Sequence, residues 1–142
     1  MRYIICSLLL VLSFLAHAAE LQPGQVWSYR NRAGETASTL TVLKVETYKD
    51  LGRVVHIRID GIHMKNPLRG NVLSDIPHLP FKERAVQQSV TEIVRRLSTV
   101  PEFQDGYDTW KKAYVAGQAG AFDMSVSATL DAMLGAEWQE KN

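Results

Sequence analysis

Alternation of apolar and polar positions dominates the first half of the chain. Pro23-Gly24 makes a turn before a strand over Gln25 to Arg30, where Trp27 and Tyr29 share one side. Ser38 to Tyr48 is the clearest strand: β-branched residues are frequent, Thr41, Leu43 and Val45 point one way, and Lys44 and Glu46 the other. Arg53 to Asp60 repeats the pattern, with Val55, Ile57 and Ile59 inward and His56, Arg58 and Asp60 outward. Arg32 to Glu35 and Lys49 to Gly52 are hairpin-length loops, so the three strands form an antiparallel meander.

The pattern changes between Gly61 and Pro80. Apolar residues persist without a clean period, and Pro67, Pro77 and Pro80 discourage regular structure, which predicts an ordered crossover over one end of the sheet. A first helix starts at Pro80, with Val86, Val90, Ile93, Val94 and Leu97 at helical spacing. Thr99-Val100-Pro101-Glu102 is a capping box for a second helix, which carries a stripe of Phe103, Tyr107, Trp110 and Tyr114 and ends at Gly117. Ala119 to Val126 alternates again as a fourth strand returning to the edge of the meander. Ser125 or Ser127 then caps a last helix bearing Leu130, Met133, Leu134 and Trp138. The expected fold class is α+β: a three-stranded antiparallel meander plus a fourth strand, helices on one face, in the order βββ-αα-β-α.

The first residues follow neither pattern. Met1-Arg2 is a short basic start, Ile4 to Leu15 is apolar apart from Ser7 and Ser13, and Ala16-His17-Ala18 places small side chains where a signal peptidase requires them. The sequence thus divides into a signal peptide, 1–18, and a single α+β domain, 19–142, with cleavage after Ala18 or one residue later. The apolar run is shorter than a membrane span of ~20 residues. Cys6, the one cysteine, lies inside this leader, so disulfides, thiolate metal sites and cysteine nucleophiles are absent from the mature chain. A cysteine-free exported domain suits an oxidising compartment, the periplasm or the exterior. The balance of 16 Lys+Arg against 15 Asp+Glu argues against a nucleic-acid binder.

Little in the mature chain is reactive. There is no P-loop, no G-x-G-x-x-G, no EF-hand loop and no G-x-S-x-G elbow. His56, Arg58 and Asp60 project from one strand face, and a bulge at Gly61 would bring His63 to the same side as a two-His, one-Asp metal set. The simpler reading of that face is the wet side of a half-buried strand, with no metal and no cofactor. His78, between Pro77 and Leu79, is a loop ligand, a general base or a solvated turn histidine. Asp105 and Asp108 mark a solvated helix side. The aromatic stripe is core, or lines a pocket together with Trp27 and Tyr29.

The run PGQVWSYRNRAGETASTLTVLKVE, with VVHIRIDGIHMKNP and IPHLPF, resembles a group of small exported bacterial proteins of uncharacterised function. The resemblance spans most of the mature chain and implies export and one domain; it carries over no catalytic or binding residue. With no complete reactive constellation, the sequence favours a non-enzymatic binding or interaction module, inhibitor- or immunity-like. Its partner would be an unknown protein or small ligand, not nucleic acid or a spanned membrane. The binding residues expected are Arg58, Asp60, Ile62, His63, Met64, Asn66, Leu68, Arg69 and His78. Two alternatives stand beside this one. The first is a small metal-dependent hydrolase using His56, Asp60 and His63, with His78 as a further candidate. The second is a carrier with an apolar pocket between the second helix and the sheet.

Overall fold

The computed structural model describes residues 17–65 and 72–134. Most of the expected leader, with Cys6, and the expected helix residue Trp138 lie outside them. The fold is α+β: β1 (Gln25–Tyr29), β2 (Thr39–Tyr48), β3 (Gly52–Lys65), β4 (Val72–Lys82), α1 (Glu83–Ser89), β5 (Val90–Arg96), α2 (Gln104–Val115) and α3 (Val126–Leu134). The strands form one five-stranded sheet in the order β4-β3-β2-β1-β5, every neighbouring pair antiparallel. Among the described residues no helix is long and apolar enough to cross a membrane.

The meander is present as expected, with shifts of phase at two bulges. Val42 pairs with Ile57 and Lys44 with His56, so Leu43 is the extra residue on β2. Before that bulge it is Leu40 and Val42, rather than Thr41 and Leu43, that join the core cluster with Val55, Ile57 and Ile59; beyond it Lys44, Glu46 and Tyr48 share the opposite face. On β3 the register shifts after Asp60, where Gly61 takes a φ of 76°. The shift returns Ile62 and Met64 to the core face, and a Cβ on Gly61 would lie 3.0 Å from the carbonyl oxygen of Ala37.

The expected crossover is instead a hairpin arm. β3 continues to Lys65, and β4 runs back along it from the pair Lys65–Val72 to the pair Val54–Lys82. Proline misled the sequence reading because β4 is an edge strand: Pro77 and Pro80 lack only an amide hydrogen that no second neighbour would accept.

The expected first helix is also corrected. It begins at Glu83 and ends after seven residues, and Val90 to Arg96 form β5 against β1. Val90, Ile93 and Val94 are spaced for a helix but are β-branched, and pairing with β1 overrides the spacing. Ala119 to Val126 is not a strand; it touches the β4 edge through a single bridge, Phe81 to Phe122, with Lys82 N–H donating to the Phe122 carbonyl at 2.9 Å.

The capping box at Thr99 does not form. α2 starts at Gln104 without a side-chain cap, although Glu102 Oε1 accepts from the Gln104 amide at 2.7 Å. Ser125 does cap the last helix, accepting from the Ala128 amide at 3.2 Å. In that helix Val126 and Leu130 are buried, whereas Met133 is exposed.

The helices occupy both faces of the sheet, not one. α1 and α3 pack Val86, Val126 and Leu130 into the core cluster with Val55, Ile57 and Ile59. Ser89 ties the two helices together, donating to the Ala85 carbonyl at 2.7 Å and accepting from the Val126 amide at 3.0 Å. Trp27 and Tyr29 belong to this face as well. α2 lies on the other side, where Tyr107 and Trp110 cover His56.

Candidate functional site

His56 belongs to the face of β3 expected to be wet, yet its ring is fully buried. Its centroid is 5.0 Å from that of Tyr107 and 4.9 Å from that of Trp110, both edge to face. Its neighbours on the sheet come from two further strands. Lys44 is its β2 register partner and brings Glu46 alongside. On β4, Ile57 pairs with Leu79 and Ile59 with Ile76, so Pro77 and His78 together face one residue of β3. That bulge turns His78 onto the His56 side, and the two rings stack at 5.1 Å.

The three side chains form a line. Glu46 Oε2 lies 3.2 Å from His56 Nε2, and His56 Nδ1 lies 2.9 Å from His78 Nε2. Glu46 also accepts from Tyr107 Oη at 2.8 and 2.9 Å and from Tyr48 Oη, and pairs with Lys44 Nζ at 3.3 Å. Lys111 of α2 donates to Tyr48 Oη at 2.9 Å. Burial pushes the Glu46 carboxyl up, but the hydrogen bonds from Tyr48 and Tyr107 together with Lys44 outweigh it and hold it at about 2. Burial, with the charge of His78 next, lowers His56 to about 4 against the opposing pull of Glu46. Burial lowers His78 as well.

These charge states fix the protons. An ionised carboxylate only accepts, so His56 Nε2 carries hydrogen and donates to Glu46. Neutral His56 then has a bare Nδ1, which accepts from His78 Nε2–H. Neutral His78 is left with a bare Nδ1, which has no hydrogen bond to a described residue. The order is carboxylate, imidazole, imidazole, with the hydrogen-bond acceptor at the far end.

His78 lines a cleft of about 530 Å³ between α2, the end of β4 and the segment 119–122. His78, Leu79 and Pro80 form one wall, Gly106, Thr109, Trp110 and Ala113 another, and Ala119 to Phe122 a third. The Thr109 hydroxyl is engaged with the Asp105 carbonyl at 2.9 Å, and the Trp110 indole N–H with the Gly120 carbonyl at 2.8 Å. With both of these donors engaged, the side-chain polar atoms left open among the described lining residues are acceptors, Nδ1 of His78 and the lone pairs of Thr109 Oγ1.

Gly106 sets the approach of α2. A Cβ there would sit 2.9 Å from His78 Cβ and 3.5 Å from His78 Nδ1. Helix propensity alone makes Gly106→Ala stabilising by about 1 kcal/mol. The contact reverses the sign: we expect a net loss of about 1 to 2 kcal/mol, measured as a lower urea midpoint. A higher midpoint would show that α2 does not rest on His78.

The expected site residues separate. Arg58 is bound to Asp60 at 2.9 Å and to Asp75 at 2.8 Å, a partly exposed ion cluster that shares no hydrogen bond with His56 or His78. Ile62 and Met64, expected to meet a partner, are corrected to core residues, each 3% exposed. The bulge at Gly61 does place His63 on the Asp60 side of β3, but its amide is held by Glu35 Oε1 at 3.1 Å and its side chain is exposed. Asn66, Leu68 and Arg69 lie outside the described residues. His56, Asp60 and His63 do not come together, and among the described residues no set of three His, Cys, Asp or Glu is placed to hold a metal ion. His56 shows why: its two nitrogens point to opposite partners, Glu46 and His78. Sequence reasoning missed Glu46, although Lys44, Glu46 and Tyr48 alternate on a strand beside His56. No family model, curated protein or solved structure matches the chain.

Proposed function

We propose that the chain is an exported bacterial binding protein that holds a compact, largely apolar ligand in the cleft between α2 and β4, without covalent chemistry. The observation that carries this reading is the cleft of about 530 Å³, walled by Leu79, Pro80, Trp110, Ala113 and Phe122 around one imidazole, His78. Its volume is in the range of small-molecule sites, and an apolar wall with few polar groups is their usual composition. Recognition moves here from the Gly61 to Pro80 segment, because Ile62 and Met64 are packed inside. Export rests on the leader signature of Met1 to Ala18. Cleavage after Ala18 agrees with the packing of Ala19 against the core and with the hydrogen bond from Gln87 Nε2 to its carbonyl at 3.0 Å.

The test uses N-phenyl-1-naphthylamine, an apolar aromatic amine whose emission rises on leaving water. We expect saturable enhancement with the wild-type protein, and its loss in Ala113→Trp, which fills the cleft from α2. No enhancement, or equal enhancement by a folded Ala113→Trp, would overturn the reading.

A further inference from the structure

We propose that the cleft selects neutral ligands that carry one hydrogen-bond donor, a phenol-like hydroxyl or an aromatic N–H, on an apolar body, and that Glu46 and His56 impose this choice by fixing which nitrogen of His78 bears hydrogen. The inference rests on the cleft being a ligand site and names the class of ligand it takes.

An imidazole is by itself indifferent: one nitrogen donates, the other accepts, and the two tautomers exchange readily. Here the exchange is blocked from a distance. Glu46 faces His56 Nε2 at 3.2 Å and is anchored by Tyr107 at 2.8 Å, so it stays in place as an acceptor. Its demand for a hydrogen passes through His56 to His78 Nε2 across a 2.9 Å contact. The opposite order would leave the bare Nε2 of His56 against a carboxylate, lone pair to lone pair, in a buried site. His78 therefore presents Nδ1 as an acceptor.

The remaining lining reinforces the choice. The Thr109 hydroxyl and the Trp110 indole N–H already have partners. Among the described residues no Lys or Arg lines the cleft to receive a carboxylate, a sulfonate or a phosphate. A ligand with only an acceptor would leave Nδ1 desolvated and unpaired, and an anion would meet its lone pair directly. Glu46 and His56 are positioning residues in this scheme, and His78 makes the contact.

Three probes of nearly one shape separate the possibilities: 1-naphthol, 1-methoxynaphthalene and 1-naphthoate, titrated against the wild-type protein at neutral pH by quenching of tryptophan emission. We expect 1-naphthol to bind about tenfold tighter than 1-methoxynaphthalene, as one unmade buried hydrogen bond predicts, and 1-naphthoate to bind more weakly still. His78→Leu should bind both neutral probes alike. Glu46→Gln should also narrow the gap to within about threefold, because a carboxamide can offer N–H to His56 and let the chain of protons reverse. Equal binding of the neutral probes to the wild type would overturn the inference while leaving the cleft a ligand site. A naphthol preference retained in Glu46→Gln would overturn the role of Glu46 and His56. Failure of all three probes to bind would overturn the cleft reading itself.

Discussion

Glu46→Ala is expected to lower the stability of the folded chain by about 4 kcal/mol, with donors left buried and unpaired at roughly 1 to 3 kcal/mol each. Four side chains converge on this carboxylate: Tyr48, Tyr107, His56 and Lys44. Lys44 and Tyr48 have other recourse, to water and to Lys111 respectively. His56 has none, and Tyr107 only the neighbouring Tyr48 and Lys44, because both are buried where α2 meets the sheet. The change therefore removes the point at which α2 is fastened to β2 and β3. Glu46→Gln keeps an acceptor oxygen and should cost about half as much. Urea unfolding followed by tryptophan emission measures both. A loss below about 1 kcal/mol in Glu46→Ala would mean that the aromatic packing of α2 carries the contact alone.

The second large effect is on pH dependence. His56 stands at about 4 in the folded chain, against an ordinary value of 6.5. Between these values the unfolded chain binds a proton that the folded chain excludes, so stability is complete above pH 6.5 and is lost as pH falls toward 4. The full difference is on the order of 3 kcal/mol, with about 2 kcal/mol gone by pH 5. His78 is lowered too and acts in the same direction. Glu46, at about 2 against 4.5, adds its own loss only below pH 4.5. The groups facing His56 are Glu46 and Lys44 from β2, His78 from β4, and Tyr107 and Trp110 from α2. Urea midpoints compared at pH 7.5, 6 and 5 should fall steadily. His56→Gln, which retains an amide donor toward Glu46 and does not titrate, should flatten the decline. Equal stability at pH 7.5 and pH 5 in the wild type would contradict a buried neutral His56.

The meander was legible because alternation over Ser38 to Asp60 is strong and the loops are short. What failed, failed for identifiable reasons. Pro77 and Pro80 looked like breakers because their cost depends on whether a strand lies at an edge, which is a property of the sheet and not of the segment. Val90 to Arg96 has both helical spacing and β-branched composition, and only the vacant flank of β1 decides between them.

The site was half legible. His56, His63 and His78 all stand out in the sequence, which does not say which of them converge. Two of them do meet, through a β4 bulge between Ile76 and Leu79 that no local pattern announces. Glu46 shares the Lys44 face of β2, and nothing in the strand's own pattern shows that α2 covers that face. The aromatic stripe of α2 held the missing information: Tyr107 and Trp110 require partners for their polar atoms, and Glu46 on the second sheet face and the Gly120 carbonyl supply them.

The protonation order along Glu46, His56 and His78 is the claim on which the ligand class depends. Long-range proton–nitrogen correlation spectra of the imidazole rings, recorded on the ¹⁵N-histidine-labelled chain near neutral pH, read that order directly. Both rings should be neutral with hydrogen on Nε2, and His78 Nδ1 should show the shift of a bare acceptor. Hydrogen on His78 Nδ1, or a positively charged imidazolium at either ring, would contradict the account.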